Sequence, residues 1–206
     1  GLDTLVEAFI LLKERKQVPR LKLKVGGSFG PADESLVNGL RVKLHEKGLL
    51  EDAEFHPNVD RAAKVAFLRS LSVFSVPAAY GEAFGLYVLE AQASGVPVVQ
   101  PRHAAFPELL GLTGGGVMCE PGNPAALADA IEPLLLDAAK ARALGEAGLQ
   151  AVREKFNVDT MATETVHAFE ELLGRRKSAP AATAPAPAAA APETAQISVA
   201  SPDGKD

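Results

Sequence analysis

Short apolar strands alternate with amphipathic helices along most of this chain, and that alternation restricts the fold more than any other feature. Leu21 to Val25 alternates apolar and charged residues and runs into Gly26-Gly27, which reads as a short strand delivering a tight, backbone-exposed turn. Ala53 to His56, closed by Pro57, Val73 to Val76, closed by Pro77, Val96 to Gln100 and Val117 to Cys119 read as further strands. Between them lie helices. Leu2, Leu5, Val6, Phe9 and Leu12 fall at helical spacing over residues 2 to 16, and Leu36, Leu40 and Leu44 mark a second helix stopped by Gly48. Asp60 is placed to cap a helix carrying Val65, Phe67 and Leu68, and Gly85 to Ser94 forms another with Gly95 at its end. Asn123-Pro124 opens a helix that Pro133 is expected to kink or break, and residues 138 to 155 and 158 to 174 complete the set. Strands linked through helices pair in parallel and need cover on both faces, so the chain is an α/β doubly wound parallel sheet, Rossmann-like in kind. Ligands on such sheets bind beyond the carboxyl ends of the strands.

A chain of 206 residues has room for one core, and its last 29 residues, Ser178 to Asp206, hold 11 alanines and 5 prolines without periodicity or aromatic residues. That segment is expected to be a disordered tail, because it has too little apolar area to offset ordering entropy, which puts the folding unit at residues 1 to 177. A net charge of -5 argues against nucleic acid and anionic membrane as partners. Cys119 is the single cysteine and has no partner for a disulfide, consistent with a cytoplasmic protein. The most apolar run, Ala83 to Val99, is interrupted by Glu90, Gly95 and Pro97 and falls short of the roughly 20 residues a bilayer span needs, so no transmembrane segment is expected. The chain starts at Gly1 with no basic-then-apolar leader and reads as though it begins in mid-domain.

The segment richest in chemistry is Gly81 to Ala91. A helix starting near Gly85 leaves the amides of Phe84, Gly85 and Leu86 without partners inside it, pointing toward the ligand edge, where such amides bind anions. Gly85 allows a phosphate to approach the backbone closely. Glu90 is the only charged residue between Ala83 and Val99, and a carboxylate in apolar surroundings calls for hydrogen-bond donors such as the hydroxyls of a sugar. Residue pattern alone equally allows Glu82 as a solvated loop residue and Glu90 on the outer stripe of its helix.

The run Glu82-Ala-Phe-Gly-Leu-Tyr-Val-Leu-Glu90-Ala resembles the E-x(7)-E signature of family 4 glycosyltransferases, retaining enzymes of the GT-B fold. Phe55 to Val59 with Lys64, Phe106 to Leu109, Thr113 to Gly115 and Asn123 to Ile131 resemble other segments of the family, and the likeness extends over residues 1 to about 173. It implies that this chain corresponds to the carboxyl-terminal, donor-binding half of a GT-B enzyme. By the same resemblance the donor is a nucleotide diphosphate sugar, Glu82 is the residue at the reaction centre and contacts the transferred sugar, and Glu90 holds the ribose. Phe84, Gly85 and Leu86 bind diphosphate and sugar through their amides, Gly26 and Gly27 border the nucleotide, and Val59 and Lys64 lie near the base. Family members carry an Arg and a Lys for the diphosphate just ahead of the helix that begins here at Gly1, and an acceptor-binding domain that this chain does not include. The chain alone is therefore expected to be inactive, and a non-catalytic nucleotide-sugar-binding or interaction module is the alternative.

No other chemistry competes. Ser28 and Pro31 stand where a G-x-G-x-x-G dinucleotide motif needs glycine, and there is no P-loop. No D-x-D metal pair occurs, and His45, His56, His103 and His167 share no ligand spacing, so no metal and no cofactor are expected. Cys119 reads as a small buried apolar residue.

Overall fold

A computed structural model describes residues 1–178; the expected disordered tail lies outside the described residues beyond Ser178. The chain divides into two compact units, Gly1–Thr163 and a second that begins at Glu164. In the first unit the elements run α1 (Leu2–Arg15), β1 (Leu23–Gly27), α2 (Glu34–Glu46), β2 (Ala53–Pro57), α3 (Arg61–Arg69) and α4 (Leu86–Ala93). They continue through β3 (Val98–Pro101), α5 (Phe106–Thr113), β4 (Gly116–Cys119), α6 (Pro124–Leu136) and α7 (Ala138–Lys155) into the start of α8 (Val158–Ser178). Within the second unit the described residues are helical, and Val166, Phe169, Leu172 and Leu173 are each more than half exposed.

Among the described residues every strand pair is parallel, as the alternation predicts. β1 pairs with β2 in a register that sets Val25 opposite Phe55, and β3 pairs with β4 with Val99 opposite Val117. The neighbours Val98 and Val99 point to opposite faces of their strand and enter different cores. Val98 packs with Val88, Phe106 and Leu110, whereas Val99 packs with Leu12, Leu127 and Ile131. A third core joins Val6, Phe9 and Ile10 to Leu23 and Leu44. Each such side chain contributes about 1.5 to 3 kcal/mol on burial, so helices on both faces are held by the sheet they cover.

The local signals hold at the helix starts. Asp60 caps α3, its Oδ1 accepting from the Ala63 amide at 2.8 Å, and Asn123 caps α6 through the Ala126 amide at 3.0 Å. Four expectations are corrected. Gly26-Gly27 is not a turn but the end of β1, paired with His56 and Pro57. A Cβ at 26 would lie 3.0 Å from the Phe67 ring, so any larger residue there needs that ring to shift. Pro133 does not break its helix: α6 runs through it to Leu136, because only three residues follow and the missing donor costs a single bond. Phe106–Thr113, assigned no element from its pattern, is a helix that buries Phe106, Leu109 and Leu110.

The fourth correction concerns the sheet itself. Val73–Val76 forms only a bridge from Phe74 to Val98, and the strands make two separate two-stranded sheets, β1-β2 and β3-β4. Both belong to the doubly wound arrangement, and between them lies an apolar cavity of about 790 Å³.

Candidate donor-binding site

The loops that carry the candidate residues all leave the carboxyl ends of parallel strands. Gly26 and Gly27 end β1, Val59 follows β2 in half-buried position, Lys64 stands on α3, and residues 82 to 90 follow the Phe74 segment. Two side-chain clamps hold these loops. Asn58, with a left-handed φ of 53°, accepts from the Phe29 amide through Oδ1 and donates to the Phe29 carbonyl through Nδ2, both at 2.9 Å. Its own amide donates to the Gly27 carbonyl at 2.9 Å, so the turns after β1 and β2 are tied together. On the other side His103 Nε2 donates to the Ala78 carbonyl at 2.9 Å, and the Ala105 amide donates to the Glu82 carbonyl at 3.2 Å. The sequence signal that could have found the first anchor is the residue type, since asparagine tolerates the left-handed region and bonds to nearby backbone.

Gly85 is the residue before α4, with φ at 85°, a conformation L side chains rarely adopt. A Cβ there would also meet the Phe106 ring at 3.3 Å. This turn folds the Glu82 side chain back over the helix start. Its Oε1 accepts from the Phe84 and Gly85 amides, each at 3.2 Å, and its Oε2 accepts from the Tyr87 hydroxyl at 3.1 Å. Two of the amides expected to be open to a ligand are thus occupied by a carboxylate from the same loop. The Phe84 amide, and next the Tyr87 hydroxyl, hold the Glu82 carboxyl below its ordinary value. Burial and the adjacent Glu82 push the Tyr87 hydroxyl well above its own, which keeps it protonated and able to donate. Tyr87, half-buried beside Phe74 and Phe106, is the site residue that sequence reasoning missed.

Glu90, one helical turn further along α4, receives the Lys64 ammonium on Oε1 at 2.5 Å, with both side chains somewhat over 40% exposed. Phe84 and Leu86 present their side chains to solvent, at 48% and 66% exposure. The large cavity reaches Gly26 and Gly27 but neither glutamate. What the edge offers, then, is a set of backbone amides that already bind a carboxylate, and a second carboxylate held by a movable cation. An arrangement of this kind can exchange internal partners for the phosphates and hydroxyls of a ligand.

Residues 1–151 match the family described as glycosyl transferases group 1. The chain belongs to that family. It is 36% identical over 123 residues to a phosphatidyl-myo-inositol mannosyltransferase of Mycobacterium leprae, a match covering 60% of this chain and 33% of that protein. Among solved structures it resembles the C-terminal domain of a group 1 family protein, LpcC, from Francisella tularensis, with TM-score 0.68 and 25% identity over 77% of this chain and 80% of that one. The fold also matches Anabaena HepE, solved in complex with UDP, at TM-score 0.73 and 19% identity, covering 83% of this chain and 45% of that one. The fold is that of one domain of a GT-B glycosyltransferase, and the chain spans between 33% and 42% of the length of the curated relatives it matches. Among the described residues no helix is long and apolar enough to cross a membrane.

Proposed function

We propose that this chain is the donor-binding domain of a retaining glycosyltransferase and takes a nucleotide diphosphate sugar at the loops beyond β1, β2 and the Phe74 segment. The observation that carries the reading is the Glu82 carboxylate seated on the Phe84 and Gly85 amides, because a cradle that binds one anion across two amides suits a diphosphate oxygen. Support also comes from HepE, a neighbour in fold, having been solved with UDP. In this reading the diphosphate takes the amides of Phe84, Gly85 and Leu86, Glu82 turns to the hydroxyls of the sugar, and Glu90 exchanges Lys64 for the ribose. Lys64 and Val59 then stand by the base, and Gly26 and Gly27 let the nucleotide lie against the backbone. Negative charge grows on the diphosphate as the sugar leaves, and amides fixed by the fold stabilise that charge without solvent reorganisation. Glu82 positions the sugar and is assigned no proton, since attack from the face of the leaving group needs no protein nucleophile. No metal is assigned because the sequence has no D-x-D pair, and the cytoplasm is the compartment proposed, in keeping with a single buried thiol at Cys119.

Titration of the ¹⁵N-labelled chain with UDP and with GDP tests the site. Saturable shifts are expected at the amides of Phe84, Gly85, Leu86, Gly26 and Gly27. Absence of binding by both nucleotides, or shifts confined to other loops, would overturn the assignment.

A further inference from the structure

The run through Phe74 loses its ladder for want of one proton. Phe74 donates to the Pro97 carbonyl at 3.0 Å and accepts from the Val99 amide at 2.9 Å, so the next bonds of a parallel ladder fall to Val76, which would donate to Val99 and accept from the amide of residue 101. Residue 101 is proline and has no amide proton. The Val76 carbonyl instead takes the Ala78 amide at 2.8 Å in a three-residue turn about Pro77, and residues 76–82, which lead on to Glu82, are neither helix nor strand.

Donors from residues 100–105 take over from the ladder. Gln100 is fully buried, and with its amide turned so that the nitrogen faces acceptors it donates to the Val76 carbonyl at 2.8 Å and to the Val99 carbonyl at 3.3 Å. His103 Nε2 then reaches the Ala78 carbonyl and the Ala105 amide reaches the Glu82 carbonyl, so the links climb both segments in one direction. Two features fix these donors. The buried Phe106 ring packs against the His103 ring, with centroids 5.9 Å apart. Ala104 takes a left-handed φ of 50°, which a residue with a side chain holds only where its surroundings impose it, and the residues on either side of it are the two that bond to the loop. A carbonyl only accepts, so Nε2 carries its proton in the neutral ring and in the cation alike, and the bond outlasts titration of the histidine.

We propose that residues 100–105 are the template that seats the Glu82 carboxylate over the start of α4, with His103 as its positioning residue. Gln100 anchors the loop where it leaves the core, and the Ala105 amide anchors it where it reaches Glu82. His103 stands between them, half-buried, as the link that a substitution removes without opening the core or altering the backbone. The role extends the donor-site reading, in which Glu82 meets the sugar, but the seating itself rests on contacts within the chain.

The test compares His103→Phe, which keeps a ring against Phe106 and loses the donor, with His103→Gln, which loses the ring and keeps an N–H donor at similar reach. Both replacements are neutral, so a difference between them carries no effect of charge. NMR on the full chain reads amide hydrogen exchange and the titration of the Glu82 carboxyl. His103→Phe is expected to speed exchange at the Phe84, Gly85 and Ala105 amides about two- to tenfold, the worth of one hydrogen bond. It should also move the Glu82 carboxyl up toward its ordinary value as the bonds from the Phe84 amide and Tyr87 loosen. The Val98 amide, bonded to the Gly115 carbonyl beside β4, should change little, and His103→Gln should restore both readouts. An unmoved Glu82 titration in His103→Phe, or equal shifts in the two variants, would overturn the proposal. So would acceleration at Val98 as large as at Phe84, which would show a general loss of stability and no local seating. No nucleotide enters this experiment, so its outcome is independent of whether these loops take a nucleotide diphosphate sugar.

Discussion

On the proposed reading, replacing Glu90 by Gln separates the ribose contact from everything else the donor site does. A hydrogen bond to a charged acceptor contributes about 1.5 to 3 kcal/mol and a neutral one about 0.5 to 1.5, so loss of the carboxylate against ribose hydroxyls costs roughly 2 kcal/mol if two bonds weaken together. The free protein offsets part of that loss. Lys64 holds Glu90 at 2.5 Å, with both side chains over 40% exposed, and such a pair is worth about 0.2 to 1 kcal/mol. Wild type must relinquish this pair to take ribose and the variant need not, which leaves a net loss near 1.4 kcal/mol, or about tenfold in affinity. Calorimetric titration with UDP, GDP and inorganic phosphate reads it directly. The nucleotides should weaken about tenfold and phosphate by less than about twofold, since phosphate makes no ribose contact. In a Lys64→Met background the same substitution should cost a further 1.4- to 5-fold or so, the worth of the released pair. Equal losses for nucleotide and phosphate would remove Glu90 from the ribose position.

Acid should loosen the start of α4: because the Phe84 amide and Tyr87 hydroxyl hold Glu82 below its ordinary value, the unfolded chain binds the proton first as pH falls. The Glu82 contribution is therefore whole above the ordinary carboxylate range and lost as pH drops through the lowered folded value; Glu82→Gln should flatten the acid limb of the melting curve, and Tyr87→Phe should move the Glu82 carboxyl titration upward by NMR. Gly85→Ala forces an L side chain to φ 85° against the Phe106 ring, costing about 1 to 2 kcal/mol, and should lower the melting midpoint by roughly 2 to 8 °C in calorimetry, an unchanged midpoint counting against the turn. Cys119 is buried and burial raises its thiol, so it should resist an aromatic disulfide reagent at neutral pH until the protein is unfolded, and rapid labelling of native protein would contradict its placement.

What the sequence disclosed was local. Asp60 and Asn123 announce α3 and α6 because an N-cap is a contract between residues three apart, and both bonds form as expected. The parallel pairing follows from alternation, since strands separated by helices cannot make hairpins. Val73 to Val76 reads as a full strand because its composition is right, yet a strand exists only with neighbours, and this one has a neighbour at Phe74 alone. Phe106–Thr113 carries no clear helical pattern, because a helix of eight residues with leucines and a glycine shows little polar face. In the site the motif spacing marked Glu82 and Glu90, but their partners required coordinates. Lys64 is 26 residues from Glu90, and Tyr87, although inside the motif, reaches Glu82 only because Gly85 turns the chain back.

In the proposed donor site the charged side chains are already paired. Amides at a helix start attract an anion, and Lys64 and Glu90 beside them, each over 40% exposed, attract one another. The chain answers both from its own side chains, Glu82 on the Phe84 and Gly85 amides and Lys64 on Glu90. On the donor-site proposal, binding is then an exchange of partners. A phosphate gains only the difference between its own bonds to the amides and those of Glu82, and a ribose only the difference between its hydroxyls and Lys64. Selectivity follows from the same differences: a ligand carrying phosphate and vicinal hydroxyls together displaces both partners at once, whereas an ion carrying phosphate alone displaces Glu82 and leaves that carboxylate with no sugar to receive it.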